Sequence, residues 1–241
     1  MTSGLLLHLS GIQFWGGPQG GTTRTSHPHP TRSGITGLLA AAQGRPRGSD
    51  LTDLEQLTHT IRIDRAGQLL LDFHTVGGGR LKHETVPTAE GGHRGNALVF
   101  RDWYLHDAAF TIALTGPEPL IHDLAHALRH PVYPPHLGRR ACRPDTPVLI
   151  TTTDDPYSAL EDLPLHRTAP RTGDTVPVIF LNEHPPTHTT PHTRTIDDVP
   201  HPGRTFTTRR LWESTRHLPT TRCAGLGTTY LQALTSHRTT S

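Results

Sequence analysis

Between Gly4 and Gly44 the chain lays down an apolar run, a glycine-rich loop and a helical stripe, an order that constrains its fold more than any other stretch. Leu5-Leu6-Leu7-His8-Leu9, bounded by Gly4 and Gly11, predicts a buried strand. Gly16 and Gly17 open the loop, which carries Arg24. Ile35, Leu38, Leu39 and Ala42 then recur at helical spacing, with Thr31 or Ser33 as N-cap and Gly44 as the left-handed stop. A strand thus delivers a glycine-rich loop to a helix N-terminus bearing Thr31, Arg32 and Ser33. Unpaired N–H groups and the helix dipole make such an end receptive to phosphate. Neither a Walker loop nor G-x-G-x-x-G joins strand to helix, which argues against a nucleotide cofactor.

Leu51, Leu54 and Leu57 predict a short amphipathic helix capped by Ser49 or Asp50. Thr60 to Asp64 and Gln68 to Phe73, flanking Arg65-Ala66-Gly67, read as a hairpin. Glycines then punctuate a polar stretch over 76–98, whose two arms are expected to project as a long hairpin or a mobile loop. Strands are expected over Leu98 to Leu105 and Ala108 to Leu114, a helix over Pro117 to Arg129, and a final strand at Gly138 to Cys142. This order is the split βαβ, ferredoxin-like arrangement of an α+β domain. Residues 1–143 form that domain in this reading, and 144–241 a small, irregular, β-rich segment packed on it. In the latter, Pro156 to Asp162 suggests a helix, and Val176 to Leu181 and Arg204 to Leu211 suggest strands.

A formal net charge of +2 says little about partners, but 22 of the 23 basic residues are arginine and Lys82 is the single lysine. Guanidinium planes fork onto phosphate and stack on bases, so a small net charge can conceal a basic groove. A coding bias from lysine to arginine explains the composition equally well. Cys142 and Cys223 form no C-x-x-C pair, which fits a reduced, cytoplasmic setting. The N-terminal residues have no signal-peptide pattern and no apolar run reaches ~18 residues, so neither export nor a membrane span is expected.

Five segments in order carry a resemblance: the opening Leu-Leu-x-Leu-x-Gly-x-x-x-Trp-Gly with Arg24-Thr25; Pro30-Thr31-Arg32-Ser33-Gly34 to Ala42; Thr60 to Gly67 with Leu71 to Thr75; Trp103 to Phe110; and Leu137 to Cys142. Over roughly residues 4–143 the chain resembles the CasD family, RAMP-superfamily subunits of type I-E CRISPR-associated Cascade complexes. The likeness thins to an echo at Asp198 to Pro200, Arg204 to Phe206 and Arg209-Arg210. It departs at Arg32, where a lysine is expected; the charge survives but the point-charge geometry does not.

The resemblance implies a RAMP/RRM-like fold and a non-catalytic subunit capping the 5′ handle of CRISPR RNA in antiviral defence. The 76–98 excursion becomes a thumb contacting the Cascade backbone subunit and the large target-recognition subunit, with target DNA met indirectly. Arg24, Thr31, Arg32 and Ser33 are the expected phosphate contacts. Trp15 and Tyr104 are candidates for base stacking, Arg139 and Arg140 for the groove wall, and Gly16 and Gly17 for close backbone approach. No cofactor is expected. A rival reading is a metal-independent endoribonuclease using Lys82, His83 and Tyr104, since a nuclease branch of the superfamily cuts with such residues. Less favoured is a zinc metallohydrolase: His122-Asp123-x-x-His126 has ligand spacing, with His130 one turn on, but Asp is a methylene shorter than the Glu of H-E-x-x-H. No G-x-S-x-G motif supports a serine hydrolase.

Overall fold

A computed structural model describes residues 3–16, 19–79, 81–88, 90–93, 95–185, 192–201 and 205–240. The run of leucines after Gly4 becomes β1 (Gly4–Gln13), which pairs antiparallel with β5 (Leu98–Thr115) on one side and β6 (Leu149–Thr153) on the other. β4 (Thr58–Val76) pairs along almost the whole of β5. The order β6-β1-β5-β4, connected by α1 (Arg32–Ala42) and α2 (Glu118–Arg129), is the ferredoxin-like sheet. Leu5, Leu7 and Leu9 point to the face covered by Ile35, Leu38 and Leu39 of α1 and Ile121 and Leu124 of α2. Each of these fully buried aliphatic side chains contributes about 1.5–3 kcal/mol.

The sheet continues past β4 through β7 (Thr175–Asn182), β9 (Thr205–Pro219) and β8 (His192–His201). Beyond the point where β1 leaves β5, a small hairpin of β2 (Gln19–Gly20) and β3 (Thr23–Thr25) takes its place, β3 running parallel to β5. On the second face, α3 (Pro156–Asp162) and α4 (Gly227–Thr240) pack near Leu6, Ala113, Val178 and Phe180. That face also buries a polar network. Arg62 and Asp64 are fully buried and paired at 2.7 Å, and Arg62 also donates to the carbonyls of Leu160, Leu163 and Pro164. Beside them, His8 Nε2 lies 2.9 Å from His166 Nδ1, and the Tyr230 ring of α4 stacks on His166 at 4.1 Å.

Thr31 caps α1, its hydroxyl accepting from the Gly34 amide, and Gly44 adopts φ +75° after the last turn. The expected 51–57 helix is a 3-10 turn over Thr52–Gln56, with Asp50 accepting from the Thr52 amide. Three expectations are overturned. Arg65-Ala66-Gly67 is no hairpin turn: β4 runs through it with a register shift between Ile63 and Arg65, and Gly67 takes φ +74°. A left-handed glycine serves a bulge as well as a turn, and only the continuous partner strand separates the two. Likewise 98–105 and 108–114 are one strand, bent at Asp107 (φ 53°). The stem of the projecting hairpin is therefore built by 68–76 and 98–106, and the glycine-rich stretch between them is its tip, with a 3-10 turn at Lys82–Glu84. The last strand of the ferredoxin unit is β6 at 149–153. Residues 138–142 form a turn instead, in which the Cys142 amide donates to the Arg139 carbonyl. No helix among the described residues is long and apolar enough to cross a membrane.

Candidate nucleic-acid interface

Strand alternation puts Phe100, Asp102 and Tyr104 of β5 on one face of the hairpin stem, with His74, Asp72 and Leu70 opposite them on β4. Asp102 is 1% exposed and is the centre of the cluster. Its register partner on β3 is Arg24, which reaches it through Nε (2.6 Å) and Nη2 (2.7 Å). Arg139 donates to the same carboxylate and to the Tyr104 hydroxyl at 2.9 Å. Burial pushes the Asp102 carboxyl up, but hydrogen bonds from Arg139 and Arg24 outweigh it and hold the group below the usual carboxylate range. Burial works against the Arg139 charge too, and Asp102 and Tyr104 reverse the effect.

The two guanidiniums keep solvent contact, with side chains 29% and 25% exposed for Arg24 and Arg139. Each lies on an aromatic ring. Arg24 is 4.9 Å from the centre of Phe100, and Arg139 is 3.6 Å from that of Phe14 and 5.3 Å from that of Tyr104. Across the stem, Phe100 stacks on His74 at 5.4 Å and 12°. His74 Nδ1 in turn lies 2.9 Å from Asp72. The loop that delivers Arg139 is pinned at both ends. Val132 and Tyr133 donate to the last carbonyls of α1, and Phe14 donates to Leu137. Gly138 needs φ +88°, and a Cβ there would fall 1.7 Å from the Phe14 carbonyl oxygen.

The expected site residues divide accordingly. Arg24, Tyr104 and Arg139 come together, and Arg140 is exposed in the adjoining turn. Gly16 (φ +42°) is exposed, with open space where a side chain would go; Gly17 lies outside the described residues. Trp15 offers no face for stacking, because it is fully buried. Its Nε1 donates to Gln13 and its rim fills the space beside Gly34, so it locks the loop to α1. Arg32 is turned away from the cluster and bridges Glu183 at 2.7 and 2.9 Å and the carbonyls of Glu55 and Leu57. Arg209 shares Glu183, whose carboxyl burial pushes up while His59, Arg32 and Arg209 bring it below its ordinary range. With Arg32 so engaged, and Thr31 buried as the helix cap, these two are scaffold for α1; Ser33 is half-buried beside Thr31.

The alternative chemistries fare differently. Tyr104 stands six residues inside β5 from its tip end, about 20 Å of strand. His83 is exposed in the tip turn, outside the paired stem that carries Tyr104. The Lys82 side chain lies outside the described residues. His122 is 85% exposed on the solvent side of α2, whose inward side is Ile121, Leu124, Ala125 and Leu128. Among the described residues, Asp72, His74 and Asp102 are the one group of three potential metal ligands within 4.8 Å of one another, and Asp102 is already held by two arginines. The sequence reading missed Phe14, His74, Phe100 and Asp102. Alternation through Phe100-x-Asp102-x-Tyr104 was the available signal for the last two.

A ferredoxin-like sheet with a projecting hairpin is the architecture of RAMP-like Cascade subunits. The chain belongs to the Cas5 family: the family model for "CRISPR-associated protein (Cas_Cas5)" matches residues 4–223. It is 37% identical over 172 residues to the "CRISPR system Cascade subunit CasD" of Escherichia coli (strain K12), spanning 66% of this chain and 76% of that protein. A chain of a solved "CRISPR RNA-guided surveillance complex" superposes with a TM-score of 0.84 at 38% identity, covering 97% of this chain and 98% of that one. A second structure, "Crystal structure of Cas protein", gives a TM-score of 0.60 at 25% identity over 93% of this chain and 98% of that one.

Proposed function

We propose that this chain is a non-catalytic RNA-binding subunit of a type I-E CRISPR Cascade complex, capping the 5′ handle of CRISPR RNA in antiviral defence. The observation that carries the proposal is the convergence of Arg24, Arg139 and Tyr104 on one buried carboxylate at the hairpin stem. Cationic planes backed by aromatic rings suit single-stranded ends, whose bases are free to splay and stack. Arg140 adds positive charge alongside, and Gly16 lets backbone approach closely. The names of the matched relatives, a Cascade subunit and an RNA-guided complex, agree with this role.

The opposite face of the stem carries exposed Leu69, Leu71 and Phe73. An apolar strip of that kind suits protein neighbours, here the Cascade backbone subunit and the large target-recognition subunit, with target DNA reached through the complex. The placement of His83 on the exposed tip turn and of Tyr104 in the paired stem favours capping over metal-independent cleavage. The test is incubation of the purified chain with a CRISPR repeat RNA in EDTA, followed by native and denaturing gels. The expected result is a shifted band without product. A single-site cut that persists in EDTA and disappears in His83→Ala would replace capping by endoribonuclease action.

A further inference from the structure

Arginines at an RNA site are ordinarily assigned to phosphates, because the guanidinium edge forks onto two oxygens. Here part of that donor capacity is spent inside the protein. Arg24 turns its Nε and Nη2 edge onto Asp102, and Arg139 gives Nη1 to Asp102 and Tyr104. Asp102, with Asp72 within 4.8 Å of it, offsets the two guanidinium charges, which weakens the cluster as a phosphate clamp. What the arrangement orients is the planes. Phe14 and Phe100 each lie under one guanidinium, and His74 continues the second stack nearly parallel to Phe100.

We infer that Asp102 converts Arg24 and Arg139 from phosphate clamps into flat platforms, and that the cluster takes unpaired nucleobases of single-stranded RNA by stacking. This deepens the capping proposal and rests on it. Asp102 is a positioning residue that touches no ligand; it fixes the tilt of both planes. Lysine could replace either arginine at a phosphate, but it offers no plane for a base.

The test uses the full chain and an eight-nucleotide single-stranded oligoribonucleotide, alongside the same backbone with every base removed. Stacking is lost with the bases while all phosphates remain, so the abasic oligonucleotide should bind at least about tenfold more weakly. Arg24→Lys and Arg139→Lys should show a similar loss on the intact oligonucleotide, with an unchanged dependence of log Kd on log salt. Equal binding of intact and abasic oligonucleotides would overturn the stacking inference while leaving RNA capping intact, and that comparison needs no variant. Full affinity in both lysine variants would overturn it as well. Failure of the unaltered chain to bind either oligonucleotide at low salt would overturn the RNA-binding reading itself, and the inference with it.

Discussion

Acid should loosen the join between α4 and the sheet through His8. The ring sits in the middle of β1, with Nε2 at 2.9 Å from His166 and Nδ1 at 3.3 Å from the Tyr230 hydroxyl of α4. Burial is the main force on it and lowers its pKa from 6.5 to about 3; the Asp64 charge opposes, while His166, Arg62 and Arg65 add to the lowering. The unfolded chain therefore binds a proton at His8 between about pH 6.5 and 3 that the folded chain refuses. Stability from this group is complete above pH 6.5 and is lost progressively as pH falls toward 3. Between pH 7.5 and 5.0 the two titrations differ by about 1.5 pH units of proton binding, a loss of about 2 kcal/mol from His8 alone. Urea denaturation at the two pH values, followed by the fluorescence of buried Trp15, measures it. His8→Gln keeps a polar group between His166 and Tyr230 but removes the titration, so its loss over the same interval should be smaller by about 2 kcal/mol. His166, held at about 4 chiefly by burial, leaves the variant a residual slope. Identical losses in the two proteins would refute the reasoning.

Arg32→Ala should lower stability by about 1–3 kcal/mol, since it leaves Glu183 and two carbonyls short of donors; the salt dependence of RNA binding should not change, and a reduced slope would restore Arg32 to the phosphates. Trp15→Ala should cost about 3–5 kcal/mol in urea denaturation as a core cavity, rather than selectively weakening RNA. Gly138→Ala should weaken RNA binding by displacing the Arg139 loop, since its Cβ has no room beside the Phe14 carbonyl; gel shift at matched folded fraction reads it. Leu71→Asp with Phe73→Asp should change the melting of the isolated chain little, because both side chains are exposed, while co-purification of the other Cascade subunits falls.

The ferredoxin frame was legible because its signals are local. The leucine run of β1, the 3.6-residue stripe of α1, its Thr31 cap and Gly44 stop all act within a few residues. The β4–β5 stem was misread where one local signal has two meanings: a left-handed Gly67 marks a bulge or a turn, and the choice lies in a strand some forty residues away. α4 stayed hidden because its apolar stripe is short: Tyr230 is its one buried residue among those described, and Leu234, four residues on, packs partly buried on the same core. Arg24, Tyr104 and Arg139 were nominated as separate residues, and only parallel pairing of β3 with β5 brings Arg24 opposite Asp102. Trp15 and Arg32 went the other way. Their chemistry suits RNA, but Gln13 and Glu183, invisible as partners in the sequence, engage them in the scaffold.

The bend at Gly67 and Asp107 gives the stem the properties of a lever. From that pivot the strands run on about nine residues, roughly 30 Å, to the tip, with Asp102 and Tyr104 about 10–17 Å along the arm. If the stem turned about that pivot as a rigid arm, sideways travel of the tip would reach Asp102 and Tyr104 at roughly a third to a half of its amplitude. Under the capping proposal, a neighbour gripping the tip would also adjust the angle at which bases are held, coupling assembly to RNA grip.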